Sequence, residues 1–305
     1  MIISDLHWSF AMRAVFRGDN LMIRGDAGCG KTLLAKKLGE VFPERQFFYF
    51  NMGAMQDPRS SLIGNTHFTK KDGTFLVESV FVRAIQTEAA IILLDEISRL
   101  HPEGSNILMT VTDKLQRYLR IDESAKTPLI HVAKGVTFIA TANVGNEYTG
   151  TRTIDRALLD RFTVLMMDTM TVDAEKAYLA MCYPTLAAEL ITCIAGVADE
   201  TRKNMRSENP ALDTSISTRM TLEIAALCVD GFSFLEAAEL CIYPFQSDAG
   251  GGASPRTAIK QIIENFVGST APTTLYNHPP LIIPEGMTPA EWMQLLNDHV
   301  TSPIT

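Results

Sequence analysis

The chain has 305 residues, 46% hydrophobic and 20% charged, with a formal net charge of −8 and a pI near 5.3. That length suits one large or two unequal domains with a sizeable core, and no apolar run approaches the ~18 residues of a membrane span. The acidic balance disfavours wholesale wrapping of nucleic acid, and the five cysteines, at 29, 182, 193, 228 and 241, form neither a CxxC pair nor a zinc-like spacing with histidine.

The first residues, Met1 to Asp5, have no basic stretch followed by an apolar one, so a cytoplasmic protein is expected. Short β-rich runs at 20–24, 46–51, 90–95, 136–142 and 163–167 then alternate with helical patterns. This predicts an α/β domain over 1–170, a parallel sheet flanked by helices with its ligand at the strand tips. From about residue 171 helical patterns take over, at 174–182, 185–204, 218–229, 234–243 and 256–266, which predicts a smaller all-helical domain over 171–268. The remainder, 269–305, is a proline-rich tail. Within it Thr288-Pro289-Ala290-Glu291 has the form of a capping box, and a short terminal helix to residue 300 follows from it.

Gly25-Asp26-Ala27-Gly28-Cys29-Gly30-Lys31-Thr32 fits G-x-x-x-x-G-K-[ST], with a strand before it and the helical run from Leu33 after it. Glycines let backbone N–H groups curl around a β-phosphate, Lys31 reaches the β/γ oxygens, and the Thr32 hydroxyl binds Mg²⁺. Cys29 occupies a variable position of that loop and needs no redox role.

Ile91-Ile92-Leu93-Leu94-Asp95-Glu96 is an apolar strand ending in two acids. Successive side chains on a strand point to opposite sides, so Asp95 can face Mg²⁺ and Glu96 the attacking water. A later strand, Val136 to Ala142, ends in Asn143, placed to sense a γ-phosphate and orient water. Ile154 to Phe162 reads as a short helix that Arg161 closes. Its undeprotonable donor fork suits the charge on a phosphoryl group bound by a neighbouring subunit, with Arg156 as the rival.

The whole resembles an AAA+ ATPase of the MoxR type, closest in wording to the ATPase subunit of aerobic cobaltochelatase and its helix-2-insert relatives, over about residues 18–268. Besides the motifs above, the likeness rests on Ser61-Leu62-Ile63-Gly64, Asp72-Gly73-Thr74-Phe75, Val82-Arg83-Ala84, Gly150-Thr151 and Ala157-Leu158-Leu159-Asp160-Arg161-Phe162. The resemblance implies a P-loop AAA+ sheet with a helical lid, Mg-ATP as cofactor, and a ring-shaped homo-oligomer, a hexamer. It implies a helix-2 insert at about 56–75 and a second hairpin over 118–132, in which 118–121 pairs with 129–132 around Asp122 to Lys126. It also implies a lid arginine reaching the nucleotide: Arg219 in Ser217-Thr218-Arg219, with Arg256 in Ala253-Ser254-Pro255-Arg256 second.

Two functions follow. The first is remodelling of a partner protein, as a chaperone or metal-insertion motor, through a von Willebrand A type partner domain. The alternative is a nucleic-acid motor or loader, for which Lys70, Lys71, Arg117 and Arg120 would grip phosphates.

Overall fold

The computed structural model describes residues 3–69, 73–121, 129–143 and 154–267, with 287, 288 and 291. Five parallel strands make the central sheet: β1 (Leu21–Gly25), β2 (Phe47–Asn51), β5 (Ile91–Asp95), β8 (Thr137–Asn143) and β9 (Thr163–Met167), in the order β2-β5-β8-β1-β9. This is the α/β architecture expected, and each strand lies within one residue of its predicted start and end.

β5 is buried along its whole length, as a central strand covered on both faces must be. On one face Met22, Ile92, Leu94, Phe138 and Ala140 pack against α4 (Val80–Gln86) and α5 (Pro102–Val111), with Phe81 and Leu108 in that core. On the other, Leu21, Ile23, Leu93 and Ile139 meet α1 (Asp5–Arg17) and α2 (Lys31–Val41). Parallel register places Gly25 beside Asn143 and Met167, and Asn51 beside Asp95. All five strands therefore end along one rim, where the functional residues fall.

α1 was not anticipated from the sequence. Ser4 caps it by accepting from the His7 N–H, Gly18 ends it at φ 76°, and Ala11, Ala14 and Val15 bury its inner face.

The expected insert differs in its first half. Residues 58–62 form α3 (Pro58–Leu62), because Asp57 accepts from the Ser60 N–H and Pro58 sits at the first helical position. The hairpin begins only at β3 (Gly64–Thr69) and returns in β4 (Gly73–Glu78), antiparallel. A second antiparallel pair, β6 (Tyr118–Arg120) with β7 (Leu129–His131), lies where the other hairpin was expected; its linker 122–126 is outside the described residues. So are Lys70, Lys71, Gly150, Thr151 and nearly all of the tail, although Thr288 and Glu291 do exchange the two bonds of a capping box.

α6 (Arg156–Leu159) is shorter than predicted, so Arg161 follows the helix rather than closing it. Beyond β9 come α7 (Val172–Cys182), α8 (Ala188–Met205), α9 (Thr218–Val229), α10 (Phe234–Cys241) and α11 (Pro255–Val267), around a separate core that includes Leu179, Ile194, Val197, Ile224 and Ile259. At its centre the Arg202 guanidinium holds the Glu175 carboxylate in two bonds and donates to the Ile216 carbonyl at 2.9 Å. Thr221 donates to the same carboxylate, so one network ties α7, α8 and α9 to the segment before Arg219.

Candidate functional site

The loop from Gly25 to Thr32 joins β1 to α2 and is closely confined. A Cβ on Gly25 would lie 2.1 Å from the Met167 carbonyl oxygen, so no side chain fits there. Gly28 combines φ 77° with Ser217 of the lid pressing on it, where an added Cβ would meet the serine Cβ at 2.6 Å. Lys31 is buried, and its ammonium donates to the carbonyls of Gly25 (3.1 Å) and Asp26 (2.7 Å). Burial lowers its pKa below the ordinary lysine value, opposed by Cys29, Asp26 and Asp95. Burial likewise pushes the Cys29 thiol up.

Asp95, at the tip of β5, is the polar hub. Its Oδ1 accepts from the Thr32 hydroxyl at 2.8 Å and from the Thr141 hydroxyl at 2.5 Å, and its Oδ2 accepts from the Tyr49 hydroxyl at 3.1 Å. Glu96 follows with φ 57° and ψ 42°, a left-handed conformation uncommon for a residue with a side chain. Its N–H donates to Thr141, which holds the turn against β8. The glutamate carboxylate stands 3.8 Å from Arg99 Nε and looks over Gly53, where a Cβ would come within 2.6 Å of it.

One cavity of about 470 Å³ runs from this rim to the lid. Ala27 to Leu33, Asp95, Glu96 and Asn143 line it from the sheet side, and Arg219 reaches it from α9. Gly25 and Asp26 form the loop's base, where Asp26 faces Arg206 of the lid at 3.5 Å.

Arg161 lies elsewhere. Its Nε donates to the Met109 carbonyl at 2.7 Å, it bonds the Ala157 carbonyl, and Asp113 stands 3.5 Å away. Arg156 is exposed on α6. Neither lines the cavity. Arg256 donates to Tyr243 and pairs with Asp248 within the lid, also away from the cavity. Arg117, expected to grip phosphates, turns inward, donating to the Val136 carbonyl and standing over the Phe138 ring at 5.6 Å.

Residues that the sequence reading missed are Tyr49, Arg99, Thr141, Met170, Tyr178, Thr218 and Leu222. Thr141 had a usable signal, since it lies two residues before Asn143 and therefore on the same face of its strand. Tyr178 and Leu222 had none, because helix packing alone brings them to the cavity.

The residues fit a Mg-nucleotide. Gly28 and Gly30 take left-handed backbone conformations in the loop, Lys31 stands beside them, and a hydroxyl and a carboxylate are already in contact at 2.8 Å. Among the described residues no group of three His, Cys, Asp or Glu side chains could hold a metal unaided. Nor is any helix among them long and apolar enough to cross a membrane.

Residues 20–162 match the AAA domain of the dynein-related subfamily. Over 219 residues the chain is 33% identical to BssE of Thauera aromatica, whose given name makes it a candidate chaperone, covering 72% of each chain. An uncharacterised protein of Staphylococcus epidermidis is 27% identical over 219 residues, 70% of this chain and 80% of its own. Among solved structures, the RuvB Holliday junction branch migration motor of Thermotoga maritima aligns with a TM-score of 0.47 and 16% identity, over 78% of this chain and 70% of that one. The chain belongs to the AAA family, in its dynein-related subfamily.

Proposed function

We propose that this protein hydrolyses ATP with Mg²⁺ as a subunit of a hexameric cytoplasmic ring and uses the cycle to remodel a partner protein. The observation that carries this reading is the gathering of Lys31, Thr32, Asp95, Glu96, Asn143 and Arg219 around one cavity, with Thr32 and Asp95 already hydrogen-bonded.

Thr32 and Asp95 would hold Mg²⁺, whose charge offsets that of the β- and γ-phosphates. The loop N–H groups and Lys31 cradle the phosphates. To do so Lys31 exchanges its bonds to the Gly25 and Asp26 carbonyls for phosphate oxygens, a small swing within the same loop. Glu96 accepts a proton from the attacking water, Asn143 orients that water, and the products are ADP and inorganic phosphate. Glu96 lines the cavity from a left-handed backbone position just past the end of β5. Arg219 makes closure of the lid depend on bound nucleotide.

The remaining cations support the ring. Arg161 and Arg156 sit on a surface away from their own cavity, as a group serving a neighbour's γ-phosphate must. Arg161 is assigned that role, and its bonds to Met109 and Asp113 open on assembly. Likeness to BssE supports the chaperone task, and the MoxR-like wording of the chain points to a partner with a von Willebrand A type domain.

Phosphate release from wild type and Glu96→Gln is the test. Loss of at least a hundredfold in turnover, with nucleotide binding retained, is expected; equal rates overturn the assignment. Arg161→Ala should bind nucleotide and fail to turn it over, and sedimentation in ATP should give a species six times the monomer mass. A monomer in saturating nucleotide removes the ring.

A further inference from the structure

Tyr49 stands on β2, at the edge of the sheet, with 46% of its surface exposed. An exposed edge aromatic ordinarily needs no explanation, but this one ends on Asp95. Parallel register puts Tyr49 opposite Leu93 and Asn51 opposite Asp95, so the tyrosine is the diagonal neighbour of Asp95 on the face that α2 covers. Its hydroxyl donates to Asp95 Oδ2 at 3.1 Å, while Lys36 of α2 stands 5.3 Å from the ring centroid.

The geometry divides the aspartate in two. Oδ1 is taken by Thr32 and Thr141, the hydroxyls that come with the phosphate loop and β8. Oδ2 is held by a residue outside every motif. A carboxylate tethered through one oxygen can still swing about its own axis, whereas one tethered through both is fixed in plane. We propose that Tyr49 is a positioning residue for the divalent-cation site, its hydroxyl locking the plane of Asp95 so that Asp95 and Thr32 meet Mg²⁺ together. This rests on the reading of Asp95 and Thr32 as the Mg²⁺ side of a nucleotide site. It adds an outer-shell partner, whose removal from metal sites generally costs 10–100-fold in metal affinity.

Tyr49→Phe removes only the hydroxyl and leaves the ring and its lysine contact. The experiment measures affinity for a fluorescent non-hydrolysable ATP analogue, in excess Mg²⁺ and in EDTA, for wild type, Tyr49→Phe and Tyr49→Leu. In wild type Mg²⁺ should tighten binding. In Tyr49→Phe that gain should shrink by about tenfold, with affinity in EDTA unchanged, and Tyr49→Leu should match it. A full Mg²⁺ gain in Tyr49→Phe overturns the proposal, as does a loss confined to Tyr49→Leu, which would assign the effect to ring packing. If wild type itself gains nothing from Mg²⁺, the reading of Asp95 and Thr32 fails and this one with it.

Discussion

Arg206, at the C-terminal end of α8, faces Asp26 of the phosphate loop at 3.5 Å and donates to Thr169, in the segment between β9 and α7, at 2.9 Å. An acid inside a loop that must receive phosphates is unfavourable unless its charge is offset, and the offset here comes from the lid. An exposed ion pair contributes about 0.2–1 kcal/mol, so Arg206→Ala should weaken ATP binding by up to about fivefold. Adding Asp26→Asn should restore it, because the charge that needed offsetting is gone. Calorimetric titration of the two single variants and the double checks this.

Gly28 meets the lid at a point where no side chain fits. Gly28→Ala carries a strained positive φ and a Cβ 2.6 Å from that of Ser217. Nucleotide affinity should fall more than about tenfold as the lid is levered off the loop. Ser217→Gly in the same background should recover part of the loss, since it removes the opposing Cβ and glycine is a tolerable helix N-cap. Fluorescent-nucleotide binding distinguishes this from a fault in the loop alone, which Ser217→Gly would not relieve.

The buried Glu175–Arg202 pair is the lid's internal strut, with side chains 0% and 4% exposed. Arg202→Met strands a carboxylate among apolar neighbours and should cost about 3–5 kcal/mol. It also frees the Ile216 carbonyl, three residues before Arg219, so KM for ATP should rise in whatever fraction stays folded. Urea denaturation and steady-state kinetics read the two effects separately.

Burial in the lid pushes Cys193 and Cys228 up to about 11 from an ordinary 9.0. Groups whose pKa rises on folding stabilise fully below the unfolded value. That contribution is lost as pH climbs through the folded one. The urea midpoint should therefore fall between about pH 9 and pH 11, and less so in Cys193→Ala. Near neutral pH, alkylation should reach the exposed Cys182 first and spare these two until the lid unfolds.

Arg161 is the residue where sequence and structure are hardest to align. Its place after Leu159-Asp160 singles out a cation suited to a neighbour's phosphate, yet in the isolated subunit the guanidinium caps local carbonyls at Ala157 and Met109. A donor fork next to a helix end finds such partners by default. In the proposed ring a second subunit would offer it a better acceptor, and that competition is invisible in one chain's sequence. The insert shows the same limit on a smaller scale. Asp57-Pro58 is a local helix-start signal that a hairpin assigned by resemblance overrode.

What could be read directly from the chain was whatever is local: the phosphate loop with its strand and helix, the paired acids ending β5, Asn143 ending β8, and the change to helices after residue 170. These depend on backbone conformation and periodicity over a few residues, which the side chains there dictate. Tyr49 against Asp95, Arg206 against Asp26 and Ser217 against Gly28 were decided only by folding. Each joins residues tens to nearly two hundred positions apart, and strand register and the seating of the lid bring them together. No spacing along the chain encodes either one.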